Sequence, residues 1–234
     1  MATPFLEVKD LHGWYGESHV LHGIGFHVDE GEVVTLLGRN GAGRTSTLRA
    51  VMGLIGSRKG SIKVRGQETI SMATHRIARL GLGYCPEERG IFSSLSAEEN
   101  LMLPPQLAEG GMSVDDIYAM FPNLKERASS QGTRLSGGEQ QMLAVARILR
   151  TGARLLLLDE ISEGLAPVIV QKLAEMVVML RKQGYTIVMV EQNFRFAAPL
   201  ADRFLVVKHG EVIQEFTQAE LPARLANLHE YLGV

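Results

Sequence analysis

Residues Gly38 to Thr45 read GRNGAGRT, and they follow EVVTLL, a β-rich apolar run at Glu32 to Leu37. A helix-forming segment from about Thr45 to Met52 comes next, so the order is strand, loop, helix. The octapeptide matches the phosphate-binding pattern G-x-x-x-x-G-K-[ST] except that Arg44 stands in the lysine position. Gly38, Gly41 and Gly43 permit a turn in which successive backbone N–H groups face one anion, and the following helix adds the positive end of its dipole. Thr45 offers a hydroxyl suited to Mg²⁺. Lysine is a compact charge, whereas arginine is longer, planar and forked, so Arg44 can hold phosphate yet place its charge poorly for a transition state. A glycine-rich strand-to-helix turn with no ligand is the plain alternative.

Working outward, two more short apolar runs, Arg154 to Leu158 and Thr186 to Val190, flank a helix-like stretch around Val168 to Arg181. Strands alternating with helices of that length predict parallel βαβ units and an α/β fold. RLLLLDE, Arg154 to Glu160, delivers Asp159 and Glu160 at the C-terminal end of its strand, where open α/β sheets bind ligands. In a nucleotide site Asp159 would hold Mg²⁺, directly or through water, and Glu160 would polarise the attacking water as general base. A carboxylate pair capping the next helix is the alternative. LSGGEQQ, Leu135 to Gln141, combines a capping Ser136 with Gly137 and Gly138, whose N–H groups can face an anion. It reads as a second phosphate-reading element or, more simply, as an ordinary helix start.

The middle third, Glu88 to Arg150, carries helix formers and caps such as Ser96 before Glu98 and Glu99, and predicts a helical insert in the α/β core. The first 30 residues and Ser61 to Val64 predict short strands of an antiparallel flap, and the tail from Leu221 a short helix. With 234 residues, 45% of them hydrophobic, the chain can build an ordinary core. Its net charge of −2, from 24 basic and 26 acidic residues interspersed along the chain, gives no electrostatic footprint for nucleic acid. No apolar run approaches the roughly 20 residues of a membrane span, and MATPFLEVKD lacks the pattern of a secretory signal, so a cytoplasmic location is expected. The single cysteine, Cys85, ends a strand-like stretch and reads as a buried apolar residue.

Taken together, GRNGAGRT, LSGGEQQ and RLLLLDE resemble the nucleotide-binding domain of ABC transporters, whose Walker A, signature and Walker B motifs they match in order across nearly the whole chain. The resemblance implies one domain over residues 1–234, with a P-loop NTPase (RecA-like) core and β flap at 1–87 and 151–234 and a helical subdomain at 88–150. It implies ATP and Mg²⁺ as ligands, with nucleotide contacts from Gly38, Asn40, Gly41, Ala42, Gly43, Arg44, Thr45 and Ser46 and metal contacts from Thr45, Asp159 and Glu87. In such domains two chains pair head to tail, so Ser136, Gly137, Gly138 and Glu139 would close over the partner's ATP. Tyr15, followed by Gly16 and Val20, resembles the aromatic loop that stacks on adenine, with a core tyrosine as the alternative. Ser162 to Ala166 occupies the D-loop, with Ile161 where proline is usual.

The strings GRNGAG, PEERGIF, LSGGEQQMLA, GLAP and VEQN are similar to one ATP-binding subunit of the branched-chain amino acid importer group. Glu87 then stands in the glutamine-loop position and Gln192 in the switch-histidine position, and Gln192 can orient water but cannot act as an acid. Glu87 could equally be a solvated loop carboxylate. The implied partners are a second ABC ATP-binding subunit, two transmembrane permease subunits and, indirectly, a solute-binding protein, with the chain peripheral on the cytoplasmic face of the plasma membrane. Arg44 departs even from this subgroup and predicts weak to moderate hydrolysis. A nucleotide-holding clamp and a soluble non-transport ABC ATPase are the competing functions.

Overall fold

A computed structural model of the chain describes residues 3–224. In chain order the elements are β1 (Leu6–Tyr15), β2 (Ser18–Val28), β3 (Val33–Leu37), α1 (Arg44–Val51), β4 (Ser57–Val64), β5 (Gln67–Glu68), α2 (Thr74–Ala78), β6 (Leu82–Cys85), α3 (Ala97–Met102), α4 (Val114–Met120) and α5 (Pro122–Glu126). They continue with α6 (Gly137–Arg150), β7 (Leu155–Asp159), α7 (Pro167–Lys182), β8 (Thr186–Val190), α8 (Phe194–Ala197), β9 (Arg203–Lys208) and β10 (Glu211–Thr217).

Two sheets organise the molecule, in the orders β2-β1-β4-β5 and β10-β9-β3-β8-β7-β6. The second is parallel from β9 through β6 and gains an antiparallel edge where β10 turns back onto β9 at His209 and Gly210, both at positive φ. Every residue of VVTLL, LLLLD and TIVMV is buried, as expected for parallel strands covered on both faces. Side-chain alternation then divides each strand between two cores. Val34, Leu36, Leu155, Leu157, Val188 and Val190 face the antiparallel sheet and α1, whereas Val33, Leu37, Leu156, Leu158, Ile187 and Met189 face the helical side. The observed fold is therefore the α/β P-loop NTPase class expected from the sequence.

Between Glu88 and Arg150 the described residues form α3 to α6 and a 3-10 turn at Gly132–Arg134. Ser96, Ser113 and Ser136 start α3, α4 and α6, each in a capping box closed by Glu99, Asp116 or Glu139. Buried Asn100 holds the loop ahead of α3, accepting from the Phe92 N–H at 2.8 Å and donating to the carbonyls of Phe92, Leu95 and Ser96. The helix expected from Leu221 begins at 221–224; the rest of that expectation lies outside the described residues.

Arg203, at the start of β9, closes the edge of the parallel sheet. It donates to Glu32 at 2.8 and 2.9 Å and also reaches Glu215 on β10 and the His27 carbonyl. Its side chain is 9% exposed, so truncation removes the guanidinium from the largely buried Glu32, which keeps only the Asp29 N–H as donor, and from the His27 carbonyl. Arg203→Ala is expected to cost about 3 kcal/mol in chemical denaturation, whereas a loss below about 1 kcal/mol would mean that water replaces the contacts.

Candidate active site

The loop after β3 is shaped by glycines where a side chain cannot fit. Gly43 has φ 106°, and a Cβ there would sit 3.1 Å from Gly210 Cα and 3.2 Å from a Leu21 methyl. Gly38 is backed so closely by the Val207 carbonyl that any Cβ would collide with it. The loop opens onto a cavity of about 570 Å³ lined by Asn40 to Ser46, by His19, Val20 and His22 of β2, by His209, and by Glu87, Glu160 and Glu163. The first turn of α1 holds no acidic residue, so its free N–H groups remain suited to an anion.

Asp159 and Glu160 meet α1 at this cavity because β7 lies one strand removed from β3. Thr45 Oγ1 donates to Asp159 Oδ1 at 2.9 Å, and Tyr84 from β6 donates its hydroxyl to Asp159 Oδ2 at 3.0 Å. Burial raises the Asp159 carboxyl above its ordinary range, opposed by these two donors and reinforced by Glu87. Glu160 has φ 49°, in the left-handed region, and its N–H donates to the Val190 carbonyl at 2.8 Å. That conformation turns its side chain toward the phosphate loop, where Arg44 Nη2 donates to Glu160 Oε1 at 2.8 Å and to Asn40 Oδ1 at 3.2 Å. Burial pushes the Glu160 carboxyl up to about 8, helped by Glu163 and resisted by Arg44. Arg44 is 4% exposed, and its Nη1 is buried without a hydrogen-bond partner, so it has a donor to spare for an anion.

Oxygens of Glu87, Glu160 and Glu163 lie within 4.8 Å of one another, close to the Thr45–Asp159 pair. Hydroxyl and carboxylate oxygens are the donors a small hard cation prefers, so these residues fit Mg²⁺. Tyr84 and Glu163 belong to this site, yet sequence reading passed over both. Glu163 was within the D-loop string, and Tyr84 adjoins Cys85 in β6, but nothing local to either shows that it faces the carboxylate pair.

The remaining expected positions do not line the phosphate-loop cavity. Tyr15 ends β1 and is 39% exposed. Gln192 lines a neighbouring cavity of about 810 Å³ with Ser162 and Glu191, and Glu160 and Glu163 are shared by both cavities. Ser136, Gly137, Gly138 and Glu139 start α6, where Ser136 Oγ accepts from the Glu139 N–H at 3.3 Å and Gly138 is buried against Ile169. None of the four reaches the phosphate loop of its own chain.

Glu191, also unforeseen, is 1% exposed and accepts from the Ser162 hydroxyl at 2.7 Å and the Ser162 N–H at 3.2 Å. Burial outweighs both donors and pushes its carboxyl up to about 7, from an ordinary 4.5. The folded state therefore holds this proton more tightly than the unfolded chain. The stabilisation is full below about pH 4.5 and is lost as pH rises to about 7, a difference of about 3 kcal/mol. Denaturation from pH 5 to 8 should show this decline in the wild type and a flatter profile in Glu191→Gln; parallel profiles would contradict it.

A phosphate-binding loop with a hydroxyl-carboxylate pair and a second carboxylate beside it defines a P-loop nucleotide-binding protein, and comparison with known proteins narrows the class. The family described as ABC transporter matches residues 21–163. The chain is 39% identical over 223 residues to BraG of Pseudomonas aeruginosa, a high-affinity branched-chain amino acid transport ATP-binding protein, covering 94% of this chain and 96% of that one. It is 31% identical over 227 residues to LptB of Escherichia coli K12, a lipopolysaccharide export system ATP-binding protein, covering 94% and 93%. A solved ATP-binding subunit of an ABC transporter superposes with a TM-score of 0.82 at 28% identity, over 98% of this chain and all of that one. The chain belongs to the ABC transporter family as an ATP-binding subunit, and, as that family hydrolyses ATP, it is an ATPase. Among the described residues no helix is long and apolar enough to cross a membrane.

Proposed function

We propose that the chain powers import of branched-chain or other amino acids, docked on the cytoplasmic face of a membrane against two permease subunits that receive cargo from a solute-binding protein. The observation that carries this reading is the 39% identity to BraG over nearly the full length of both chains, set against 31% to the exporter subunit LptB. Cells lacking the chain should lose uptake of radiolabelled leucine, isoleucine or valine. Unchanged uptake together with defective lipopolysaccharide export would assign the chain to export instead.

In this reading ATP lies with its phosphates on the N–H groups of residues 38–46, Val20 packs against the nucleoside, and Arg44 Nη1 turns to a phosphate oxygen. Thr45, Asp159 and Glu87 would hold Mg²⁺, which when bound supplies charge neutralisation between the β and γ phosphates. Glu160 orients a water for in-line attack and accepts its proton, Gln192 positions that water by hydrogen bonding, and the bond to the γ-phosphorus breaks to give ADP and phosphate. Ser136, Gly137, Gly138 and Glu139, remote from their own chain's cavity, close the ATP site of a second ABC subunit in a head-to-tail dimer. Tyr15, exposed at the end of β1, would stack on adenine. The hydrogen bond that ties Arg44 to Glu160 favours a second reading, a clamp that binds ATP while its partner does most of the hydrolysis.

A further inference from the structure

The cavity at the phosphate loop is short of positive charge. Among its described lining residues Arg44 is the one permanent cation, already 2.8 Å from Glu160, while Glu87 and Glu163 add two more carboxylates. A nucleotide brings several further negative charges. A cation between the carboxylates and the phosphates relieves that end of the cavity only. The same cavity is also lined by groups that can acquire charge, namely His19 and His22 on β2 and His209 in the turn between β9 and β10. The His22 N–H donates to the Gly210 carbonyl at 2.8 Å, which pins that turn against β2 and brings the three imidazoles to one wall.

His19 and His22 belong to a cluster of rings with Trp14 and His12. His19 lies on Trp14 with centroids 4.4 Å apart and planes 8° apart, and His22 follows at 4.0 Å. His12 Nδ1 is 3.1 Å from His19 Nε2, and Asp10 Oδ1 is 3.2 Å from His12 Nε2. Lys59 lies over Trp14 at 5.6 Å, and Asp10, Glu211 and Glu215 line the groove on the far side of His22. Desolvation first, then His22 and His12, holds His19 below its ordinary value. His19 and His22 are exposed, so protons reach them freely.

We propose that His19, His22 and His209 form a proton-accepting wall of the nucleotide cavity, so that nucleotide binding takes protons up from solution onto these imidazoles. The inference rests on the cavity being the ATP site. Each proton comes from the buffer acid and ends on a ring nitrogen facing phosphate or ribose oxygens, with no covalent bond to the nucleotide made or broken. The consequence is an affinity that strengthens as pH falls through the histidine range.

Titration calorimetry with ADP in excess Mg²⁺, which is not turned over, tests this in two buffers of different ionisation heat for the wild type and the H19Q/H22Q/H209Q variant. The wild type should take up about half a proton or more per ADP near pH 7, and its affinity should rise about threefold to tenfold from pH 8 to pH 6. The variant should lose both while still binding at pH 8. Equal proton uptake and pH dependence in the two proteins would overturn the assignment and leave the ATP site standing. Absence of binding at any pH in the wild type would overturn both.

Discussion

Replacing Glu160 with glutamine is expected to leave ATP binding intact and to lower steady-state hydrolysis by at least about 100-fold. Glutamine preserves volume and an oxygen for Arg44, but it cannot take a proton from water. The loss should therefore appear in turnover while nucleotide affinity changes little, as in removal of an interaction made only in the transition state. In the nucleotide-free chain burial and Glu163 favour the protonated carboxyl, up to about 8. A general base works only when deprotonated, so the wild type's kcat/KM should rise with pH through about 8 and level off above it. Turnover in the Glu160→Gln variant within threefold of the wild type would sink the assignment of Glu160.

Arg44→Lys is the second large effect, and its sign is opposite: turnover is expected to rise about tenfold. The guanidinium spans Glu160 and Asn40 at once, so the group that should meet the phosphate also holds the catalytic carboxylate. A lysine ammonium offers one compact charge and no planar fork, so it releases Glu160 while still reaching phosphate. Arg44→Ala should instead weaken ATP binding by about tenfold to a hundredfold, the cost of losing charge-assisted hydrogen bonds. Phosphate release and nucleotide titration on the three proteins read both effects. A lysine variant that binds and hydrolyses no better than the wild type would show that arginine is a full substitute.

The parallel core was legible because its strands are buried on both faces and so appear as unbroken apolar runs: Val33–Leu37, Leu155–Asp159 and Thr186–Val190 fall within one residue of the sequence reading. The hairpin of β9 and β10 was not singled out, since β10 at the sheet edge alternates exposed and half-buried residues, with Phe216 alone buried, and carries a weaker signal. Short α2 and α8 lack enough turns to show a helical period. In the site, the phosphate loop and the carboxylate pair are local strings and could be read as such. The pairing of Arg44 with Glu160 joins residues 116 positions apart and exists only once β7 is inserted beside β8. Tyr84 reaches Asp159 because β6 pairs with β7, and Glu191 meets Ser162 because β7 and β8 are neighbours. Such contacts depend on strand order, which no single stretch of sequence records.

The central claim is that the residues gathered at this loop hydrolyse ATP, and the most direct test is phosphate release from Mg-ATP by the purified chain beside its Arg44→Lys variant. The account predicts measurable turnover by the wild type and faster turnover by the variant. ATP binding by both proteins with phosphate release by neither would contradict it.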